Sequence, residues 1–175
     1  AATAIRTAAH YKFLVDKFRE LIASGVLKLR ITHNDTKINN VLFDQKTNKA
    51  VTAIDLDTLM PGYFIYDMGD MIRTFVSPVD EEEKDLSKVA VRKDIYQAVV
   101  DGYLSWMKTE LTTQEQLQIP FSGMMMTYIM ALRMFADFLN GDTYYKTSYP
   151  GQNLVRANNQ FRLLGLLEEF HGRHS

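Results

Sequence analysis

The spacing of apolar positions changes period several times along the chain, and each change marks an element. Tyr11, Leu14, Val15, Phe18, Leu21 and Ile22 recur at helical spacing and Gly25 follows as a stop, so one amphipathic helix is predicted from Thr3 to Ser24. Leu27, Leu29 and Ile31 then alternate with Lys28, Arg30 and Thr32, the period of two of a short strand. That strand leads into the polar stretch HNDTKINN, His33 to Asn40, which turns abruptly apolar at Val41 in the manner of a buried strand. VLFD and AVTAID are two β-prone runs joined by QKTNK, which predicts a hairpin whose second strand ends at Asp55.

Beyond Pro61 and Gly62 the pattern is helical. Ile65, Met68, Ile72 and Phe75 mark one helix, and Ile95, Val99, Gly102 and Trp106 another, with DEEEKD (Asp80 to Asp85) as a solvated connector. Thr112 followed by Glu115 is a capping-box start. Pro120 separates that helix from a long apolar one through Tyr128, Ala131, Leu132, Phe135 and Leu139, stopped by Gly141. After a YPG turn at Tyr149 to Gly151, Leu154, Ala157, Phe161, Leu164 and Leu167 form a last helix. The expected fold is mainly α with a small β-hairpin, and Met124 to Met126 are expected in adaptable core packing.

At 175 residues, 46% of them hydrophobic, the chain can build one well-cored domain over residues 1–175. A net charge of −1, from 20 basic and 21 acidic residues, offers no field for nucleic acid. The absence of cysteine fits a reducing compartment, so a cytoplasmic protein is expected. No membrane span is expected either, since the longest apolar tract carries Arg133 and Asp137. The first methionine is Met60, so the chain reads as a piece of a longer protein.

Polar side chains set against a core cost free energy unless they are bonded or used, which directs attention to HNDTKINN and to IDLD. A loop Asp, an Asn five residues later and a hairpin that returns a second Asp form the arrangement that phosphoryl transfer to a hydroxyl requires. In that reading Asp35 accepts the hydroxyl proton, while Asn40 and Asp55 hold Mg²⁺ through hard oxygens. Lys37 neutralises the transferring phosphoryl group, and His33 belongs to the loop's hydrogen-bonded scaffold. Asp57 is either a further metal or substrate carboxylate or a cap for the following turn, the cap being preferred. Arg133 and Asp137 are either an i,i+4 pair or a polar face lining a substrate pocket.

HNDTKINNVLFD followed by AIDLDTLMPGYFIYDMGDMIRT resembles the catalytic loop and metal-binding segment of the aminoglycoside phosphotransferase and choline kinase superfamily, which has a protein-kinase-like fold. Asp35, Asn40, Asp55 and Asp67 fill the places of that pattern, and Asp67 is expected to bond back to the loop's backbone. MALRMFADFLNGDTYYKTSYPGQNLVRANNQ is similar, more narrowly, to N-acetylhexosamine 1-kinases, which phosphorylate a sugar at its anomeric hydroxyl. The resemblance implies an ATP- and Mg²⁺-dependent kinase for a small-molecule hydroxyl, with a sugar preferred over an aminoglycoside or choline. It also implies that this chain is the C-terminal, helical lobe. The nine glycines are scattered, and nothing corresponds to the Gly-rich loop and strand lysine of a nucleotide-binding N-terminal lobe. The chain alone is then expected to be inactive, with an apolar face where that lobe docks and a tendency to self-associate.

Two readings from other classes compete. A non-catalytic helical interaction lobe would be favoured by loss of Asp35, Asn40 or Asp55, all of which are present. Metal-dependent hydrolysis would need further ligands, and His10, His171 and His174 have no ligand spacing.

Overall fold

A computed structural model describes residues 1–172. Its N-terminal helical segment is two helices, α1 (Ala2–His10) and α2 (Phe13–Ala23), where the periodicity predicts one. The break falls at Tyr11, whose side chain is buried and whose hydroxyl donates to Glu168 Oε2 at 2.8 Å. Anchoring this ring to the far end of the chain takes precedence over helix continuity.

Two small antiparallel sheets follow. β1 (Arg30–Thr32) pairs with β4 (Met60–Gly62), Arg30 opposite Gly62, and β2 (Val41–Phe43) pairs with β3 (Ala50–Ala53), Val41 opposite Ala53. The predicted hairpin is β2–β3, but the first strand lies later than its alternation suggests. Leu27 is buried before the strand begins, Thr32 is buried within it, and Ile31 is 70% exposed. The buried strand expected at Val41 is likewise corrected, because Leu42 and Phe43 are exposed. With two strands per sheet and no layer on their outer face, Ile31, Leu42, Phe43, Val51 and Met60 form uncovered apolar surface.

The core lies among α3 (Phe64–Phe75), α6 (Ile119–Leu139) and α7 (Gln152–His171). α3 and α6 approach closely because neither has a side chain at the crossing. A Cβ on Gly69 would stand 2.3 Å from the Ser122 carbonyl oxygen, and one on Gly123 would stand 2.7 Å from Ile72. α6 is long and apolar enough to cross a membrane by length and composition, yet Met125, Met126, Ala131, Met134 and Phe135 are buried in the core, where the methionine run was expected. α4 (Lys93–Met107) turns inward a face rotated from the one predicted: Val99 packs on the core as expected, but Tyr96 is buried and Tyr103 packs beside it, whereas Trp106 is exposed. α5 (Thr113–Gln116) is a single turn with a complete capping box between Thr112 and Glu115, and Pro120 occupies the first turn of α6 as expected. Glu115, fully buried, also accepts from Arg30 Nη1 at 2.5 Å and Nη2 at 2.8 Å, which fixes β1 against the helices.

The acidic connector is not merely solvated. Glu81 accepts from Arg73 Nη1 at 3.0 Å, Glu82 pairs with Arg156 and accepts from Gln152 at 2.6 Å, and Asn159 Nδ2 donates to the Asp80 and Glu83 carbonyls. Apart from Arg73 on α3, these partners come from the polar side of α7, which the apolar periodicity of that helix does not reveal.

Gly69→Ala is therefore expected to destabilise the protein by about 1–3 kcal/mol or more, because a helix backbone has to move. In a chain of this size that is a loss of about 2–4 °C in Tm per kcal/mol. Gly102→Ala, at an exposed position of α4 and with nothing inside 4 Å, is expected to stabilise by about 0.5–1 kcal/mol. Thermal denaturation of the two variants checks both signs.

Candidate functional site

The polar loop between β1 and the hairpin is held by side chains rather than by secondary structure. Asp67, in the first turn of α3, accepts the His33 N–H at 2.9 Å and the Asn34 N–H at 2.7 Å, while Thr36 Oγ1 donates to the Asp67 carbonyl at 2.7 Å. Asn34 takes a left-handed backbone, φ 65°, and its amide donates to the Thr32 and Thr58 carbonyls. Thr58 Oγ1 returns a bond to the His33 carbonyl at 2.5 Å. Asp67 and His33 thus serve the loop's framework, as the sequence reading has them. His33 Nε2 lies 3.3 Å from the Ile54 carbonyl, and the Ile54 N–H donates to the Asn40 carbonyl at 2.9 Å. These contacts bring the end of the hairpin to the loop.

Asp35, Lys37 and Asn40 converge as expected. Asp35 Oδ2 accepts from Lys37 Nζ at 2.7 Å and from Asn40 Nδ2 at 2.8 Å. Asn40 Nδ2 also reaches the Asp35 carbonyl at 2.9 Å, and the Asn40 side chain is buried. With the Asn40 amide hydrogens directed at Asp35, Oδ1 is the atom left to meet a cation. Burial alone would raise the Asp35 pKa, but the hydrogen bonds from Lys37 and Asn40 and the Lys37 charge bring it below its ordinary value. The carboxylate is therefore ionised at neutral pH.

Asp55 sits on a left-handed backbone, φ 64°, just past β3. The Asp57 carboxyl, by hydrogen bonding and by charge, pushes the Asp55 pKa up, and Asp35 adds to the effect while Lys37 opposes it. Asp57, for which a cap is the preferred assignment, lies within the 3₁₀ turn Leu56–Thr58, and its carboxyl faces that of Asp55. Two exposed carboxyls that repel one another, beside a primary amide, suit a divalent cation. Among the described residues no three acidic, His or Cys side chains form a metal cluster, so further ligands would have to come from substrate or water. His10 and His171 contribute none, and His174 lies outside the described residues.

Asp35 also borders a cavity of about 670 Å³ that runs from the loop to α3, the 80–82 connector and α6. Arg133 lines it, its guanidinium 5.9 Å from the Tyr144 ring centre and 5.7 Å from that of Tyr145. Arg133 and Asp137 do not pair, and Asp137 lies not on this cavity but on a more open depression that it shares with Arg133, Tyr144 and Tyr145. Its buried carboxylate accepts the N–H groups of Thr143, Tyr144 and Tyr145 and the Asn153 amide, all within 3.0 Å. Asp137 therefore holds the tyrosine-bearing wall in place, a role the sequence hides because its partners are backbone groups.

The cavity also contains residues that the sequence reading missed. Asp70, Arg73 and Gln160 are all buried, and Arg73 donates Nε and Nη2 to Asp70 Oδ1 at 3.0 and 2.7 Å. The signal of Asp70 and Arg73 in the sequence is an Asp and an Arg three apart among the apolar positions Ile65, Met68 and Ile72 of α3.

Residues 4–98 match the sequence model of the family described as APH, phosphotransferase enzyme family. That span takes in both sheets, the loop, Asp55 and α3, and ends within α4, before Arg133.

Carboxyl NMR titration is expected to show Asp55 protonating above the ordinary range for aspartate, and Asp57→Asn should bring it back down. An Asp55 titration insensitive to Asp57→Asn would separate the two carboxyls.

Proposed function

The chain belongs to the phosphotransferase enzyme family, kinase-type enzymes for small molecules, and on that premise we propose that it transfers the γ-phosphoryl group of ATP to a sugar hydroxyl. The observation that carries this reading is the state of Asp35: Oδ2 is held by Lys37 and Asn40, and the side chain stands on the wall of a cavity that can hold a monosaccharide. An ionised carboxylate with one oxygen fixed orients the other toward an acceptor hydroxyl. As the hydroxyl oxygen bonds to the γ-phosphorus, its proton passes to Asp35, and the bond from phosphorus to the β–γ bridging oxygen breaks to release ADP. Lys37 supplies positive charge beside the transfer.

Asn40 through Oδ1 and Asp55, with Asp57 adjacent, would hold Mg²⁺. When bound, the ion neutralises phosphate charge and relieves the repulsion between the two carboxyls. We read the acceptor as neutral because most acids around the cavity, Asp80 excepted, already have cationic partners: Asp70 and Glu81 share Arg73, and Glu82 pairs with Arg156. A choline or an aminoglycoside would need carboxylates left unpaired. Arg133 and the rings of Tyr144 and Tyr145 suit a hydroxylated ring, and the likeness around LRMFADFLNGD supports the anomeric hydroxyl of a hexose or N-acetylhexosamine.

We also assign these residues to the C-terminal lobe of a two-lobed cytoplasmic enzyme. They carry no Gly-rich loop to cover ATP's phosphates, and the uncovered face around Ile31, Leu42, Phe43, Val51 and Met60 is where a nucleotide-binding lobe would sit. Left bare, that face favours self-association.

In the intact enzyme, Asp35→Asn is expected to lower kcat by about 100- to 10,000-fold while nucleotide affinity is kept. Asp55→Ala is expected to weaken Mg²⁺-ATP binding in calorimetry as well as turnover. Near-normal kcat in the first variant would remove Asp35 as the base, and unchanged nucleotide affinity in the second would remove Asp55 from the metal site.

The 175-residue chain alone should not turn over ATP, since phosphoryl transfer depends on positioning that needs both lobes. Activity equal to that of the intact enzyme would overturn the lobe assignment.

A further inference from the structure

Asp70 carries an unanswered hydrogen-bonding capacity. Its side chain is 3% exposed and lines the cavity, and both Arg73 donors, at 3.0 and 2.7 Å, converge on Oδ1. Oδ2 is buried and has no partner. Buried carboxylate oxygens are almost always satisfied, and leaving one unmade costs more than a typical bond gains. Tyr145, on the same cavity, has a buried hydroxyl that is also unpartnered. Among the described residues these two polar atoms have no partner, and the residues that carry them line a space that Asp35 also borders.

The position of Asp70 within α3 adds to this. Asp67, which pins the Asp35 loop, lies three residues before it, so the two backbone positions are separated by about 4.5 Å along the helix axis. The helix that fixes the loop thus fixes Asp70 relative to Asp35. Arg73 is 7% exposed and compensates Asp70 inside the protein, while its other partner, Glu81, reaches solvent. Asp70 therefore already has its cation inside the protein, which favours a neutral donor over an ammonium group as the missing partner of Oδ2.

We propose that Asp70 is a specificity residue for the acceptor: Oδ2 accepts a hydrogen bond from a hydroxyl on the end of the sugar remote from the one phosphorylated, with the Tyr145 hydroxyl as the neighbouring polar contact. This rests on the reading of the cavity as the acceptor site. Discrimination arises because an acceptor without that hydroxyl leaves Oδ2 unpaired. Arg73 is a positioning residue in this arrangement, since by occupying Oδ1 it directs Oδ2 to the ligand.

The test uses the intact protein with N-acetylglucosamine and its 3-, 4- and 6-deoxy forms, read by calorimetry and, with Mg²⁺-ATP, by turnover. In the wild type, one deoxy form is expected to bind about 10- to 100-fold more weakly than the parent. In Asp70→Asn, which keeps an oxygen for Arg73, that gap should shrink to about 2-fold while the KM for ATP is unchanged. A purely structural role would lower Tm and affect all four sugars alike, and would overturn the proposal. So would a gap that survives the substitution, failure of every sugar to bind, or preference for glucosamine over its acetylated form.

Should Asp70→Asn not fold, the carboxyl ¹³C resonance of Asp70 in the wild type decides: it should shift on titration with N-acetylglucosamine and less with the discriminated deoxy form, and an unmoved resonance overturns the proposal. Sugar binding without phosphoryl transfer would defeat the kinase reading alone, whereas turnover with a deoxy penalty independent of Asp70 would defeat this inference alone.

Discussion

The arrangement depends on one carboxylate accepting two adjacent backbone N–H groups. Asp67 reaches from the first turn of α3 to His33 and Asn34, and Thr36 Oγ1 bonds back to the Asp67 carbonyl, so the loop is tied directly to the helical core. Burial, with the Asp70 charge adding to it, holds the Asp67 pKa above its ordinary value, while the two N–H donors and nearby His33 oppose the rise. The loop has no sheet ladder at this point, and its backbone donors need the carboxylate in place of a strand. Because α3 is locked to α6 through Gly69, the loop inherits the rigidity of the core.

Charge is distributed on the same principle of anchoring. Buried pairs such as Arg30–Glu115 and Arg73–Asp70 join segments distant in sequence or fix a wall, and their charges are answered within the protein. Asp55 and Asp57 differ: both are exposed, they face one another, and no cation of the protein pairs with either in an ion pair among the described residues. Asp35 stands between the two regimes, half-answered by Lys37. The contrast separates carboxylates that build the molecule from those left available for chemistry.

How much of this the sequence discloses follows from which contacts are local. The hairpin, the capping box and the Asp35–Asn40 spacing are short-range patterns, and all are visible in the chain. The break at Tyr11 is not, because its cause lies at Glu168, and neither is the exposure of Ile31, because alternation says that a strand has two faces without saying that either is covered. Asp137 illustrates the same limit within the site: its spacing from Arg133 suggests a pair, yet its partners are three N–H groups of a loop that only the fold brings under it. The polar residues of α7 are the largest omission. Gln152, Asn153, Asn159 and Gln160 are buried because they satisfy the connector and the cavity wall, and hydrophobic periodicity gives them no weight.

Two of the loop's residues answer to the backbone as well as to chemistry. Asn34 and Asp55 both adopt the left-handed region, a conformation that costs most side chains about 1–2 kcal/mol and that Asn and Asp tolerate best after glycine. At Asn34 the side chain is fully used to brace the loop, so its identity is explained by geometry alone. At Asp55 the side chain forms no cap and braces nothing, so the backbone demand would be met equally well by glycine or asparagine. What the turn leaves unexplained at Asp55 is the carboxylate itself, held against a like charge at a cost that the fold alone gives no reason to bear.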